Sequence, residues 1–141
     1  MQIGYIPGVW DLLHVGHVAI LTRAHSLCDR LVVGVPSDEV VYEDKKKYPT
    51  IKLDARIKML ESLRCVDVVL PYFEFEFITH LTLVHPDLLI VGSTWGKECR
   101  HIDAENWCRE NNCRLVKLPY TRGISSTAIK KELGDERATS T

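Results

Sequence analysis

His14 and His17 stand three residues apart in GVWDLLHVGH, residues 8–17, with Gly16 between them. Two imidazoles at this spacing can ligate a metal, activate a nucleophile or donate N–H groups to an anion. A metal site takes more than two protein ligands, and this pair supplies two. A serine hydrolase of the usual kind needs a nucleophile elbow, and the chain has no GxSxG. Nucleotidyl transfer needs neither. It needs positioning and charge stabilisation around phosphorus, for which imidazole N–H groups are suited. The bland alternative is a pair of ordinary helix-start residues.

The stretch is placed where such chemistry is expected. It follows an apolar run, residues 2–7, and precedes a helical pattern over 17–28 in which Ile20, Ala24 and Leu27 recur at i, i+4 and i+7. A strand-to-helix turn at the carboxyl end of a parallel sheet is where ligands bind in open α/β folds. The helix N-terminus there favours a phosphate, and Gly8 and Gly16 let backbone approach a ligand. A second helix start lies in PYTRGISSTAIKKEL, 119–133, with Ser125 as N-cap, Ile124 and Ile129 as a hydrophobic staple and Gly134 as the stop. Ser125, Ser126 and Thr127 make it rich in hydroxyl and amide donors. A third cluster, Lys45–Lys47, follows the second strand in what reads as a mobile connection bounded by Pro49.

Further strands are expected at 31–35, 67–70, 88–91 and 114–118. Helices are expected at 54–64 with Asp54 as cap, at 74–84, where FEFEF leaves a strand open, and at 103–112 with Asp103 as cap. Strands alternating with helices give an α/β fold. A doubly wound, mostly parallel five-stranded sheet with helices on both faces is expected. Residues 1–133 form one domain, and 134–141 a polar, frayed tail.

The chain has 141 residues, 45% of them hydrophobic and 26% charged, with a formal net charge of −1. That balance lacks the basic footprint of a nucleic-acid binder. No run is long enough to span a bilayer, and MQIGYIPG has no basic n-region, so a cytoplasmic location is the default. The five cysteines include no CxxC pair. Buried, reduced thiols are expected, against a zinc site at His101, Cys108 and Cys113 whose spacing fits no usual finger. Trp10 and Trp95 either stack on a base or pack in the core. Trp107 packs, and His25, His80, His85 and His101 belong to no motif.

GVWDLLHVGH resembles the GxFDxxHxGH signature of the cytidylyltransferase-like nucleotidyltransferases, and GISST resembles their second signature, RTEGIST. SDE at 37–39, RIKMLESLRCVDVVLP at 56–71 and PDLLIVG at 86–92 follow in matching order. The chain is most similar to small bacterial enzymes of the glycerol-3-phosphate cytidylyltransferase type. HxGH also occurs in class I aminoacyl-tRNA synthetases, but those are far longer and carry a KMSKS-type loop absent here. The resemblance implies Rossmann-like architecture and transfer of a nucleoside monophosphate to a phosphorylated small molecule, with Mg²⁺ present and pyrophosphate leaving.

CTP is the favoured triphosphate. Glycerol 3-phosphate is the leading acceptor, followed by ethanolamine or choline phosphate. Alternatives are an ATP-dependent sugar-phosphate adenylyltransferase of the heptose-1-phosphate kind, or a nucleotide-binding sensor without catalysis. A homodimer is expected, with no nucleic-acid partner. By resemblance, His14, His17, Lys46 and Arg122 are catalytic. Gly8, Val9, Trp10, Asp11, Gly16, Arg64, Gly92, Trp95, Tyr120, Thr121, Gly123, Ile124, Ser125, Ser126 and Thr127 hold the nucleotide. Asp38, Lys45, Arg56 and Asp67 hold the acceptor, and no protein residue is assigned to a metal. Two segments depart from the family. Tyr120 and Arg122 occupy the arginine and glutamate positions of RTEGIST, and GSTWGK at 92–97 stands where relatives have GDDW.

Overall fold

Continuous apolar runs such as LVVGV must be covered on both faces, and in this chain they are. The computed structural model describes residues 1–119. Its elements run β1 (Ile3–Pro7), α1 (Val15–Ser26), β2 (Arg30–Pro36), α2 (Asp38–Lys45), α3 (Leu53–Glu61), β3 (Val68–Tyr72), α4 (Ile78–Val84), β4 (Leu88–Gly92), α5 (Cys99–Glu110) and β5 (Arg114–Leu118). The strands pair in the order β3-β2-β1-β4-β5, all parallel. Successive side chains alternate between the faces. Ile6, Leu31 and Val33 pack with Ile20, Leu21 and Ala24 of α1 and Leu60 of α3. On the other face Tyr5, Leu89 and Val91 pack with Leu81 of α4 and Ala104 and Cys108 of α5. This is the expected doubly wound, Rossmann-like sheet.

The neighbours β1 and β4 pair only at Gly4–Leu88 and Tyr5–Leu89, whereas β4 stays paired with β5 through Gly92. Pro7 has no N–H to continue the ladder. The two strands, whose connections leave toward opposite edges, therefore part at their carboxyl ends. A crevice opens there, at the topological switch point.

Several boundaries differ from the sequence reading. The segment taken as a mobile connection contains α2, capped by Ser37, whose Oγ accepts from Val40 N. Lys45 is its last residue and Lys46 its left-handed C-cap, at φ 62°. Helix α3 has no cap from Asp54; the remote Asp38 carboxylate accepts from Leu53 N at 3.1 Å. Helix α5 starts at Cys99 with Glu98 as N-cap, four residues before the expected Asp103 start. The FEFEF stretch forms neither helix nor strand before Ile78, yet Phe75 and Phe77 both meet the Arg100 guanidinium. Strand β3 runs through Pro71, which an edge strand tolerates. All five cysteines are free; Cys108 and Cys113 are buried, Cys28 and Cys65 half-buried and Cys99 exposed. His101 and Cys108 lie roughly 10 Å apart along α5 at 1.5 Å per residue, too far to share an ion. Among the described residues, no helix is long and apolar enough to cross a membrane. The last helix, with its Gly134 stop, and the 134–141 tail lie outside the described residues.

Gly34 is required by its neighbour. A Cβ there would run into the Tyr5 hydroxyl and ring, because Tyr5 lies across β2 to reach His80. Tyr5 Oη and His80 Nδ1 share a hydrogen bond at 2.5 Å, whose direction is set by the imidazole tautomer. The buried His80 Nε2 has no hydrogen-bond partner among the described residues. Burial, helped by the nearby Arg100 charge, pulls the His80 pKa down from 6.5 to about 4.

Two outcomes follow. Gly34→Ala should cost about 1–3 kcal/mol in urea unfolding, by overpacking against Tyr5. The fold holds His80 neutral, while the unfolded chain takes up its proton near pH 6.5. Stability should therefore fall as pH drops below about 6.5, and this contribution is fully lost below about 4. In His80→Gln, which keeps a hydrogen-bonding partner for Tyr5, Tm should fall less steeply across that window than in the wild type.

Candidate active site

The loop from Gly8 to His14 is built by positions that sequence patterns miss. Trp10 and Leu12 have φ of 58° and 49°, the left-handed region that non-glycine residues enter at a cost. The fold holds Trp10 there. Its indole Nε1 donates to Gly34 O at 3.0 Å, and the ring fills the space a Gly8 Cβ would need. Gly8 thus makes room for a side chain of its own loop. Asp11 is buried, and its two carboxylate oxygens accept from Thr50 N and Ile51 N, each at 2.8 Å. Arg56 is also buried; its Nε donates to Ile51 O, Nη1 to Val9 O and Nη2 to Asp38. Asp11, Asp38 and Arg56 therefore act as struts between the β1–α1 loop and the α2–α3 connection, and Trp10 ties the loop to β2.

These struts present the histidine pair. His14 is the N-cap of α1, with Nδ1 accepting from Gly16 N at 3.0 Å. His17 is the third helical residue, and its Nδ1 accepts from His14 N at 3.2 Å. The rings stack at 3.9 Å between centroids, and Trp10 meets the edge of His17. An Nδ1 that accepts places the proton of a neutral imidazole on Nε2. Burial, then the His14 ring, pull the His17 pKa down to about 4 against the opposing pull of Asp11. Burial also lowers the His14 pKa. At neutral pH the pair therefore offers two uncharged Nε2–H donors. Because His14 already accepts the Gly16 amide, these imidazole N–H groups replace the backbone donor expected there.

Beside the loop, a cavity of about 330 Å³ opens at the carboxyl ends of the strands. Pro7, Gly8 and Val9 form one wall; Pro36, Tyr72, Val91 and Gly92 form its floor. Helix α2 contributes Val40, Val41, Asp44 and Lys45, and the approach to α5 contributes Thr94, Trp95, Lys97 and Glu98. Arg100, a site residue the sequence reading missed, has only 9% of its side chain exposed. It meets Asp44 at 3.1 Å, Glu98 at 2.9 Å and Phe75 O at 3.1 Å. Lys45, rather than Lys46, lines the cavity; Lys46 Nζ donates to Glu43 O. Trp95 is 9% exposed and packs in the core, stacked on His101 and donating to Glu105.

Two sequence-assigned residues stand at the other edge of the sheet. Asp67 accepts from Leu31 N beside the start of β2, and Arg64 precedes it in the chain. Neither reaches the carboxyl-end site, five residues of β3 away. Tyr120, Thr121, Arg122, Gly123, Ile124, Ser125, Ser126 and Thr127 lie outside the described residues.

Comparison with known proteins agrees with this geometry. A family model described as cytidylyltransferase-like matches residues 5–132. Glycerol-3-phosphate cytidylyltransferase of Bacillus subtilis (strain 168) is 35% identical over 128 residues, covering 89% of this chain and 92% of that protein. Bifunctional protein HldE of Nitrobacter hamburgensis is 32% identical over 135 residues, 95% of this chain, but the chain spans only 27% of HldE. The crystal structure of a lipopolysaccharide core biosynthesis protein from Thermoplasma volcanium superposes with a TM-score of 0.76 over 86% of this chain and 98% of that one, at 23% identity, a likeness of fold. The chain belongs to the cytidylyltransferase-like family, whose members here are nucleotidyltransferase enzymes.

Proposed function

We propose that the chain transfers a nucleoside monophosphate, CMP from CTP in the first instance, to a phosphorylated small alcohol such as glycerol 3-phosphate. The observation that carries this reading is the pair of neutral Nε2–H donors held side by side at the start of α1. An acceptor phosphate oxygen attacks the α-phosphorus of the triphosphate. A P–O bond forms, the α–β anhydride bond breaks, and pyrophosphate leaves. The attacking monoester is already anionic near pH 7, so no general base is required. The barrier is the meeting of like charges, which N–H donors aimed at phosphate oxygens lower. Lys45 at the cavity, its Nζ 3.8 Å from the Asp44 carboxylate, supplies a positive charge, with Lys46 and Arg122 as further candidates.

Among the described residues, no three His, Cys, Asp or Glu side chains gather to hold a metal. Magnesium, which the family resemblance implies, would offset charge on the triphosphate and the departing pyrophosphate. The family resemblance makes a cytoplasmic homodimer the expected form. Similarity along nearly the whole length of the Bacillus subtilis enzyme favours CTP and glycerol 3-phosphate. The match to HldE supports an ATP-dependent sugar-phosphate adenylyltransferase as the second reading.

Pyrophosphate release, measured with each nucleoside triphosphate, Mg²⁺ and a panel of phosphorylated alcohols and sugars, tests the reading. Release is expected with CTP and glycerol 3-phosphate; release with ATP and a sugar phosphate alone would select the second reading. Absence of release with every pair, despite nucleotide binding, would favour a sensor. His14→Ala and His17→Ala should each lower kcat/KM by about 10²–10³-fold. The double variant should lose less than the product of the two, because the stacked pair acts as a unit. A His17→Ala enzyme of near wild-type rate would overturn the role given to the pair.

A further inference from the structure

Helix α5 ends in a tight reversal whose two facing side chains are both cysteines. Asn111 is the C-cap, Asn112 takes the left-handed conformation at φ 54°, and Cys113 N donates to Cys108 O at 3.0 Å across the turn. This closure is that of a Schellman stop, which commonly carries an apolar contact between its first and last side chains. Here the two positions are held by Cys108 and Cys113, both buried in the cluster that contains Leu89 and Ala104. Their thiols are hydrogen-bonded to each other. Cys28 and Cys65 pack on the other face of the sheet. Cys99, at the start of α5, is roughly 13 Å from Cys108 along the helix at 1.5 Å per residue.

The hydrogen bond makes the two sulfurs unequal. Donation from Cys113 draws the Cys108 thiol below its ordinary range, against the opposing effect of burial. Cys113, as the donor and in a buried place, is pushed well up. Cys108 is therefore the sulfur that carries negative charge first, and the thiolate is the reactive form. The turn between the two is at the surface, where Arg109, Glu110 and Asn112 are exposed. A helix end opens more readily than a helix interior, which admits a small oxidant.

We propose that Cys108 and Cys113 form a redox-modification site, closed to a disulfide by hydrogen peroxide and reopened by thiol reductants, and that the bond pins the end of α5 to the start of β5. The Cys108 thiolate attacks a peroxide oxygen. An S–O bond forms, the O–O bond breaks, and the hydroxide that leaves takes up a proton as water. The Cys113 sulfur then attacks the Cys108 sulfur. The S–S bond forms, the S–O bond breaks, and the departing hydroxide carries off the Cys113 proton as a second water. Two thiols are oxidised and one peroxide is reduced. The backbone bond from Cys113 N to Cys108 O already closes the loop that the disulfide spans. At its other end α5 brings Arg100 and His101 to the cavity, so a pinned turn steadies that wall under oxidising conditions. The modification needs no substrate and stands apart from the transfer reading.

The test treats the native protein with hydrogen peroxide at neutral pH, quenches with an alkylating reagent, and reads intact mass and an unreduced tryptic digest. Alkylatable thiols should fall from five to three, with a mass loss of about 2 Da before alkylation. Trypsin cuts after Arg100, Arg109 and Arg114, so peptides 101–109 and 110–114 should appear joined, and dithiothreitol should separate them. Dimedone present during the treatment should label Cys108 and not Cys113. The oxidised protein should melt about 5 °C or more above the reduced one. Cys113→Ala, which cannot form the bond, should show no such rise. Retention of both thiols while the exposed Cys99 is oxidised overturns the proposal, as does a cross-link of either cysteine to Cys28, Cys65 or Cys99 in place of the pair. A joined pair whose Tm does not rise overturns the pinning, and dimedone on Cys113 ahead of Cys108 overturns the order of attack.

Discussion

A guanidinium shut away from water must be given acceptors, and Arg56 finds all of its acceptors at the carboxyl edge of the sheet. It lies on α3, is 1% exposed, and draws together Ile51 O, Val9 O and the Asp38 carboxylate. An unpaired charge at that depth would be strongly unfavourable. Three otherwise separate segments, the β1–α1 loop, the start of α2 and the lead into α3, are therefore held in one arrangement. Asp11 reinforces it from the opposite side through the Thr50 and Ile51 amides. With the loop so tied, Trp10 and Leu12 can be kept in unfavourable backbone conformations, and the chain enters α1 at the angle that stacks His14 on His17. Arg56 and Asp38 Oδ1 thus hold the loop in place through hydrogen bonds inside the protein.

The order of the fold was legible because it depends on periodicity. Buried apolar runs, helical spacing and the strand-helix alternation are one-dimensional signals, and all five strands are where those signals lie. Helix α2 had a local signal too: Ser37, Asp38 and Glu39 make an N-cap followed by an acidic first turn. The lysine run behind it masks that signal, because three successive cations read as a solvated loop. The start of α5 was hidden because its cap is Glu98 paired with His101, outside the usual N-cap residue types.

The site was legible in type but not in role. The residue classes around HxGH point to phosphate chemistry, yet nothing in the sequence separates a residue that touches a ligand from one that holds the loop. Trp10 and Asp38 are distinguished by long-range partners, Gly34 and Arg56. Arg100 belongs to no motif, and its position becomes meaningful only when α2 and the FEFEF segment fold against it. Asp67 and Arg64 show the converse: adjacency to a familiar segment gave them a role, while strand direction places them at the far edge.

The histidines of α1 and α5 show how one local device yields two electrostatic outcomes. In both helices the third residue is a histidine whose Nδ1 accepts from the backbone N–H of the N-cap residue, His17 from His14 and His101 from Glu98. Both imidazoles are thereby directed to carry a proton on Nε2. For His101 that atom meets the Glu98 carboxylate at 3.1 Å, so its hydrogen-bonding capacity is used within the protein. For His17 the neighbour is another imidazole, which opposes protonation and leaves Nε2–H without a protein partner among the described residues. A donor fixed in direction, uncharged and unsatisfied among the described residues is suited to an anion that arrives with its own charge. Binding then needs no internal ion pair to break, and the preorganised N–H groups require little rearrangement as charge shifts onto the phosphate oxygens.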